Sequence, residues 1–417
     1  MSLAWTAYRL LAPALGAIAP SARVFASPRE RALWRERMGL VPSGGECHAW
    51  IHAASLGESV AVGPLLRALQ AFQPDARFRL TATTRVGRER LSRIGPPASL
   101  APIDAPQAVR RFLHAARPRR LVLVETELWP HWLLAARKLR LPVIVASARL
   151  SGRSVRHYRG LGGEFRGLLT GLQAVLCQTE EDAERWQVLG ARPDRVAVAG
   201  NLKHDALPDQ VPDRAAARAA HGLDRARPVL VLGSLRPGEA GLIARAWRAL
   251  PESLRSGWQV VAVPRHPIAS AGLRAEAARH GITFTSAGVP AGDVWRWDDS
   301  LGVLTGYYAA ADLAIVCGSL FRYGGHNPME AAACGAAVIV GPHHASQLQS
   351  VRVLSEMHAA RVLTSTRELP ATLRELMTNG GHRENLGRRG LEAVRSMRGA
   401  ARRTSAQLVA WDLWPVS

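Results

Sequence analysis

The sequence has little cysteine and no long uncharged apolar run. Its four cysteines are far apart: Cys47, Cys177, Cys317 and Cys334. They form no C-x-x-C motif and no Cys/His cluster at zinc spacing, which argues against a disulfide framework or a structural zinc and favours a reducing, cytoplasmic setting. No run of about 20 uncharged apolar residues occurs, so an ordinary transmembrane span is excluded.

Acidic residues and lysine are also scarce. The chain has 54 Lys plus Arg against 33 Asp plus Glu, a formal net charge of +21, and its lysines are Lys138 and Lys203 alone. A basic surface suits a phosphate-rich partner, an anionic membrane or nucleic acid. The net charge alone does not distinguish these partners. Because a GC-rich genome alone would favour arginine, we give the total charge little weight.

The N-terminal segment, residues 1–40, is apolar and then basic. Residues 3–19 are rich in Leu, Ala and aromatics but contain Arg9 and Pro13, and arginines follow over 23–37. A signal peptide would carry positive charge before its apolar core and a cleavage site after it. The pattern fits either an interfacial helix that holds the protein on an anionic leaflet or a packed first helix of a soluble domain.

From residue 50 onward, short apolar runs alternate with helical patterns, which indicates repeated βα units and parallel sheets. The predicted strands of the first half are Ala49–Ala53, Arg79–Thr83, Arg120–Glu125, Pro142–Ser147, Ala174–Gln178 and Val196–Gly200. Those of the second half are Val229–Gly233, Gln259–Pro264, Val303–Leu304, Leu313–Cys317 and Ala337–Gly341. Between the halves, a helical piece flanked by prolines over 208–228 predicts a domain boundary.

The length of 417 residues and the 47% hydrophobic content fit two domains of similar size. We predict an α/β fold with two doubly wound Rossmann-like domains, residues 41–207 and 208–417, facing across a cleft. The Arg/Ala-rich helices over 383–403 are expected to end the chain by packing back across the domains. Ligands of such sheets bind beyond the carboxyl ends of the strands, so functional residues should follow strands directly.

Glu58 is the first candidate. The segment 52–59 (HAASLGES) takes a strand through a turn into an amphipathic helix and places Glu58 at the lip of the predicted cleft. A carboxylate there can take the proton of an attacking hydroxyl if partial burial raises its pKa. Alternatively, Glu58 merely favours the positive end of the following helix, and spacing alone favours this second interpretation.

Glu125 and Lys203 are further candidates in the first half. Glu125 ends the apolar run 121–125 and is expected to point into the cleft, whereas Glu127 lies in the loop and is predicted to cap the helix after Pro130. Alternatively, Glu125 pairs with a buried arginine, for example one in 148–154. Lys203 follows the last strand, where its ammonium would hold a carboxylate or phosphate or would simply be solvated.

In the second half, two strand ends carry weaker signals for anion binding. The segment 232–239 (LGSLRPGE) offers backbone amides to a phosphate, but alone it is a weak motif. Arg265 and His266 directly follow a strand, where a fixed guanidinium suits a phosphoryl group or a carboxylate.

The most specific segment of the second half is 318–330 (GSLFRYGGHNPME). A Gly-rich loop that opens a helix is a phosphate cradle, because the free amides and the helix dipole face the anion. The structural alternative is a capping box with Asn327 as N-cap, Pro328 at the first helical position and Glu330 three residues after the cap. That alternative leaves the glycines and His326 unexplained.

These segments together resemble the bacterial 3-deoxy-D-manno-octulosonic acid (Kdo) transferases, GT-B glycosyltransferases that attach Kdo to a lipid A precursor. The resemblance covers roughly residues 30 to 400, in which six motifs occur in the family's order: SLGE at 55–58, ETELWP at 125–130, ARLS at 148–151, GNLK at 200–203, PRHP at 264–267 and GGHNP at 324–328. Six motifs in order are not plausibly accidental.

The resemblance implies a CMP-Kdo donor, a lipid A precursor as acceptor, and a location on the cytoplasmic face of the inner membrane. It implies that Glu58 is the general base and Glu125 a second carboxylate of an inverting site. Because the sequence has no D-x-D triplet of the kind that metal-using glycosyltransferases employ, we predict that the site is metal-independent, and we expect no cofactor. The residues that the resemblance assigns to the donor are Ser234, Arg265, His266, Gly302, Gly325, His326, Asn327 and Glu330. Those it assigns to the substrate in the first half are Ser55, Gly57 and Lys203.

This sequence departs from the family pattern in several loops. Arg236 stands where a histidine is usual, and Leu301-Gly302-Val303 replaces Met-Gly-Glu. Residues 345–347 lack the usual Asn-Phe, and 84–87 differ from Thr-Pro-Thr-Gly. The departures lie in ligand-facing loops, so they bear on donor and acceptor identity rather than on the fold.

Two other functions are weighed against a Kdo transferase. A related GT-B enzyme with another CMP-activated acidic sugar or another acceptor would fit the departures. A nucleic-acid binder would rest on charge alone, and the sequence lacks an interleaved aromatic and basic module, so we expect no nucleic-acid partner. The oligomeric state is not predicted.

Overall fold

Short apolar runs form two parallel sheets, each of seven strands in the described part of the chain, and the amphipathic segments between them form helices. The structure is a computed structural model that describes residues 5–8, 28–211 and 213–416. The chain divides into unit 1, formed by Met1–Ala206 with Met397–Ser417, and unit 2, formed by Leu207–Ser396. The predicted α/β class with two doubly wound halves is confirmed.

The sheet of unit 1 has the order β3-β2-β1-β4-β5-β6-β7. Its strands are β1 (Ala49–His52), β2 (Phe78–Ala82), β3 (Ala98–Leu100), β4 (Leu121–Val124), β5 (Val143–Ala148), β6 (Ala174–Cys177) and β7 (Val196–Val198). The direction of strand addition reverses between β1 and β4, and open parallel sheets bind ligands beyond the strand ends at such a switch point.

Helices connect these strands. They are α1 (Pro28–Arg37), α2 (Leu56–Ser59), α3 (Val62–Gln70), α4 (Arg85–Leu91), α5 (Pro106–Ala116), α6 (Pro130–Leu139), α7 (Gly152–Arg159), α8 (Gly163–Thr170) and α9 (Glu180–Leu189). A short 3-10 helix, Leu202–Ala206, follows β7. Every residue of β4 (LVLV) is buried, as expected for a central strand covered on both faces.

The sheet of unit 2 has the order β10-β11-β9-β8-β12-β13-β14, with its switch point between β8 and β12. Its strands are β8 (Val229–Leu235), β9 (Gln259–Pro264), β10 (Thr283–Thr285), β11 (Val294–Trp297), β12 (Leu313–Val316), β13 (Ala337–Val340) and β14 (Ala360–Val362). Its helices are α10 (Arg214–Ala220), α11 (Glu239–Arg248), α12 (Glu252–Ser256), α13 (Ser270–Ala278), α14 (Leu304–Ala310), α15 (Met329–Ala332), α16 (Leu348–Glu356), α17 (Leu369–Thr378) and α18 (Gly380–Met397).

Tryptophans attach both ends of the chain to unit 1. Trp5, in the helical residues 5–8, is buried and lies 5.7 Å from the ring of Phe165. The last helix, α19 (Ala400–Ala410), leads to Trp414, whose ring stacks on Phe78 at 5.9 Å. The Trp414 indole also donates a hydrogen bond of 3.2 Å to the carbonyl of Leu69.

The N-terminal segment 1–40, for which an interfacial helix and a packed first helix were both considered, lies partly outside the described residues, which omit 1–4 and 9–27. Within the described ranges, no helix is long and apolar enough to cross a membrane.

Several sequence predictions of secondary structure are wrong. The strand predicted at 303–304 is the start of α14, because Gly302 makes a turn with φ of 85° and Tyr307 and Tyr308 then bury one helical face. The Arg/Ala-rich helices expected over 383–403 are present as α18 and α19, which are separated at Gly399, where φ is 88°. Four short strands were not predicted: β3, β10, β11 and β14.

Candidate active site

Glu58 lies just beyond β1, at the switch point of unit 1. Ser55 caps α2, since its Oγ accepts a hydrogen bond from the Glu58 N–H (3.3 Å). Glu58 Oε2 in turn accepts from the N–H groups of Ala54 (2.6 Å) and Ser55 (3.2 Å), which completes a capping box. Glu58 therefore does act as a helix-capping residue. The capping box uses Oε2 only, and Oε1 has no hydrogen bond among the described residues.

The surroundings of Glu58 make its carboxylate a stronger base than usual. Burial is the main cause that raises the Glu58 pKa, and the negative charges of Glu125 and Glu127 raise it further. The two backbone N–H donors act in the opposite direction and are outweighed. A carboxylate whose pKa is raised toward working pH is suited to accept a proton from a hydroxyl group.

Glu125 follows β4 on the other side of the same switch point and pairs with Lys203. Glu125 Oε1 and the ammonium of Lys203 form an ion pair in which both side chains are partly buried. The alternative considered for Glu125, a pairing with an arginine of 148–154, is not what the structure has, because the 3-10 helix after β7 brings Lys203 to Glu125 instead. Lys203 itself is therefore not a freely solvated lysine.

Glu127 does not cap α6, contrary to the sequence prediction. The capping group is Asp104, whose carboxylate accepts from the N–H groups of His131 and Trp132, both at 3.1 Å. Glu127 Oε2 instead accepts a 2.9 Å hydrogen bond from the Trp129 indole and lies 3.6 Å from Nε2 of His52.

His52 is a site neighbour that sequence reasoning missed. It is fully buried at the end of β1, and its Nδ1 lies 2.9 Å from the hydroxyl of Thr81. Burial lowers the His52 pKa, so the imidazole is neutral at neutral pH and does not cancel the charge of Glu127. The available signal was a polar residue in an otherwise apolar central strand.

Glu239 joins the two strand ends at the switch point of unit 2. It is fully buried at the start of α11, and its carboxylate accepts from the N–H groups of Gly318 (2.8 Å), Leu320 (3.0 Å) and Arg236 (2.9 Å). Three backbone donors thus fix the loop after β12 to the loop after β8. We did not predict this structural role from the sequence.

Positive groups collect around His326, which follows β12. Burial, together with the charges of Arg265, Arg236 and His266, lowers the pKa of His326 to about 4. The pKa of His266 is lowered by burial and by the same two arginines. In the described part of the chain, neither Arg236 nor Arg265 forms a direct ion pair with an acidic residue, although the charge of Arg236 acts on Glu239 and that of Arg265 acts on Glu330. Ser234, at the irregular end of β8, has a φ of 63°.

The glycine-rich loop approaches other groups closely. Gly318 has a φ of 72°, and a Cβ there would lie 2.7 Å from the His326 ring. Gly325 has a φ of 82°, and its Cβ would lie 3.1 Å from the backbone of His344. Both positions therefore require glycine. Gly302 forms no hydrogen bond or ion pair with this cluster within the described ranges.

The capping box predicted at Asn327 is wrong in its details. The helix α15 begins at Met329, and Asn327 Oδ1 accepts from the Met329 N–H at 3.1 Å. The reciprocal bond is absent from the described contacts: the Asn327 amide donates to Glu330 Oε1 at 3.5 Å instead. Burial raises the pKa of Glu330, whereas Asn327 and Arg265 lower it.

No group of three or more His, Cys, Asp or Glu side chains in the described residues could hold a metal ion. Metal independence remains a prediction.

Two parallel seven-stranded sheets, each doubly wound with helices, are typical of the GT-B fold. A solved UDP-GlcNAc 2-epimerase from Neisseria meningitidis covers 88% of this chain and 100% of its own, with a TM-score of 0.60 and 14% identity. At that identity, the similarity shows the fold alone.

Sequence similarity identifies the family. The family described as 3-deoxy-D-manno-octulosonic-acid transferase (kdotransferase) matches residues 32–206. The 3-deoxy-D-manno-octulosonic acid transferase of Bordetella pertussis is 36% identical over 87% of this chain and 87% of its own length. The Haemophilus influenzae enzyme of the same name is 29% identical over 90% and 91%. The chain belongs to the Kdo transferase family and is therefore a glycosyltransferase.

Proposed function

We propose that this enzyme transfers Kdo from CMP-Kdo to a lipid A precursor of the lipid IVA type, in the synthesis of the lipopolysaccharide core. The observation that carries the proposal is Glu58, a partly buried carboxylate with a raised pKa and one free oxygen at the switch point of unit 1. Ser55 and Gly57 belong to the turn that holds it.

Unit 2 is proposed to bind CMP-Kdo. The donor carries a carboxylate beside a phosphodiester, so its site must hold two anions close together. The guanidinium of Arg265, which forms no direct ion pair among the described residues, and the donors of the loop after β12 fit that requirement. The residues assigned to the donor are Ser234, Arg265, His266, Gly302, Gly325, His326, Asn327 and Glu330.

In the proposed reaction, Glu58 Oε1 takes the proton of the acceptor hydroxyl as the hydroxyl oxygen bonds to the anomeric carbon. The bond from that carbon to the phosphate oxygen breaks, and CMP leaves with the electron pair. Attack opposite the leaving group inverts the anomeric configuration. Glu125, the second carboxylate, stabilises the oxocarbenium-like positive charge. Arg265 and backbone amides stabilise the negative charge on the departing CMP, without a metal.

The test is product analysis with CMP-Kdo and the lipid acceptor. Wild-type protein should release CMP and yield a Kdo-lipid product of inverted configuration, and the Glu58→Ala variant should yield almost none. Absence of transfer by correctly folded wild-type protein would contradict the proposal.

We also propose attachment to the cytoplasmic face of the inner membrane. Helix α7 supports it, because this helix (GRSVRHYR) carries Arg153, Arg156 and Arg159 and no acidic residue. Such a stretch favours anionic lipid. Flotation with phosphatidylglycerol vesicles, weakened by salt and absent with phosphatidylcholine alone, is the expected result.

A second candidate is transfer of another CMP-activated acidic sugar. It is favoured by Arg236, a departure from the family pattern in the donor-facing loop after β8. A panel of CMP-sugars tested with the same acceptor separates the two candidates.

A further inference from the structure

Arg236 is held in one orientation at the carboxyl end of β8. Its guanidinium carbon lies 4.6 Å from the ring centroid of Tyr323. Tyr323 is fixed in turn, since its hydroxyl donates a hydrogen bond of 3.2 Å to the carbonyl of Pro237. Stacking of this kind restricts a side chain that otherwise has many rotamers, so the planar fork of Arg236 is arranged before a ligand arrives.

The same guanidinium has unused donors. Its Nε is buried and has no hydrogen-bond partner among the described residues. Glu239, the nearest acid along the chain, accepts from the backbone N–H of Arg236, from Gly318 and from Leu320. A buried donor without a partner is costly, and a ligand that accepts from it would remove that cost.

The charges at this edge match a ligand with two negative groups. Arg236 and Arg265 both act on His326, and arginine is permanently charged. His326 and His266 have lowered pKa values, so both are neutral at neutral pH. Two permanent cations therefore act at this edge, and of the two carboxylates that interact with them, Glu239 already accepts three backbone hydrogen bonds. A donor that carries one phosphodiester and one carboxylate matches these two cations.

We propose that Arg236 binds the carboxylate of the donor sugar through its guanidinium fork, which leaves Arg265 for the phosphodiester. The inference rests on the proposed CMP-Kdo function. A carboxylate accepts two parallel N–H bonds from arginine, which suits a guanidinium whose plane is already fixed by an aromatic ring. Arg236 then selects acidic sugars over neutral ones.

The test compares CMP-Kdo with CMP, which lacks the carboxylate. In Arg236→Gln, the KM for CMP-Kdo should rise about tenfold or more, as expected for loss of a charge-assisted hydrogen bond, while the inhibition constant of CMP changes less than about twofold. Tyr323→Leu should raise the KM for CMP-Kdo by a smaller factor and leave CMP unaffected. The matched control is Arg274→Gln, because Arg274 lies over Phe284 at 5.1 Å beside the edge strand β10 and should leave both constants unchanged.

Two results for Arg236→Gln would overturn the inference and leave the proposed function intact. In the first, CMP and CMP-Kdo bind more weakly by the same factor, which would make Arg236 a phosphate ligand. In the second, neither the inhibition constant of CMP nor the KM for CMP-Kdo changes. Arg236→Lys is a second variant in case Arg236→Gln does not fold. It keeps the positive charge without the guanidinium fork, so it should still raise the KM for CMP-Kdo more than the inhibition constant of CMP. If the wild-type protein neither binds CMP nor transfers Kdo, both the proposed function and this inference are overturned. Measuring the wild-type protein first separates that outcome from a result that concerns Arg236 alone.

Discussion

Replacing Glu58 by glutamine separates its two possible roles. The Glu58 carboxylate completes the capping box through Oε2, at 2.6 Å from the Ala54 N–H and 3.2 Å from the Ser55 N–H. Glutamine also completes capping boxes, because its amide oxygen accepts the same bonds. It cannot take a proton from a hydroxyl. Glu58→Gln should therefore keep the fold of this turn and lose the base.

The magnitudes of the two effects differ enough to be measured. A positioned general base contributes about 100- to 10,000-fold to a rate, so kcat for Kdo transfer should fall by that factor in Glu58→Gln. The midpoint of thermal unfolding should stay close to that of wild type. Glu58→Ala should lose the same activity and also about 1 kcal/mol of stability, which lowers the midpoint by about 2–4 °C in a unit of this size.

The assay is Kdo transfer to the lipid acceptor under saturating CMP-Kdo, paired with thermal unfolding of each variant. In the unfolding experiment, Ser55→Ala gives the cost of losing the cap alone, because it removes the acceptor for the Glu58 N–H but leaves the carboxylate. A Glu58→Gln protein that transfers Kdo at the wild-type rate would refute the reasoning, and Glu58 would then be a helix cap alone.

Four further predictions concern the charges near Glu58, the contacts of Glu239 and the use of a metal. Glu127→Gln removes a negative charge that raises the Glu58 pKa, so the acid limb of the pH profile of kcat/KM should move to lower pH. Lys203→Met leaves Glu125 unpaired near Glu58, so the same limb should move to higher pH; a shift in the same direction for both variants would contradict this electrostatic account. Glu239→Ala leaves three backbone donors of unit 2 unsatisfied and should cost about 3 kcal/mol or more in the free energy of unfolding measured with urea. Kdo transfer should be unchanged by EDTA, and a loss that added Mg²⁺ restores would show that a metal is used.

The central strands were predictable because burial on both faces makes them continuous apolar runs. Strand β9 has the predicted bounds, and β1, β4 and β13 differ from the prediction by one or two residues. The missed strands β3, β10 and β14 are three residues long and lie at sheet edges or carry exposed side chains. Such strands have too short a pattern to be separated from loops by periodicity.

The sequence located the loops of the candidate site but not the pairs within them. Glu125 and Lys203 each follow a strand, yet β4 and β7 are not neighbours in the sheet, so no local pattern indicates that the two side chains meet. Likewise, Asp104 rather than Glu127 caps α6, because the loop after β3 supplies the acceptor from a distant part of the chain. Long-range contacts of this kind depend on tertiary packing and not on spacing.

Backbone strain gives an independent reason to place function at the carboxyl edges of the two sheets. Among the described residues, the non-glycine residues with positive φ are Arg117, Glu125, Arg140, Ser147, Ser234, His358 and Asp412. Four of these lie at the ends of helices, where the left-handed conformation is common. The other three are at the carboxyl ends of parallel strands: Glu125 after β4, Ser147 in β5 and Ser234 in β8. A strained conformation costs roughly 1–3 kcal/mol per residue and persists only where the surroundings enforce it. Both units therefore have strained backbone at the sheet edge that carries the candidate base or the candidate donor ligands. An ordinary loop connection does not require such strain.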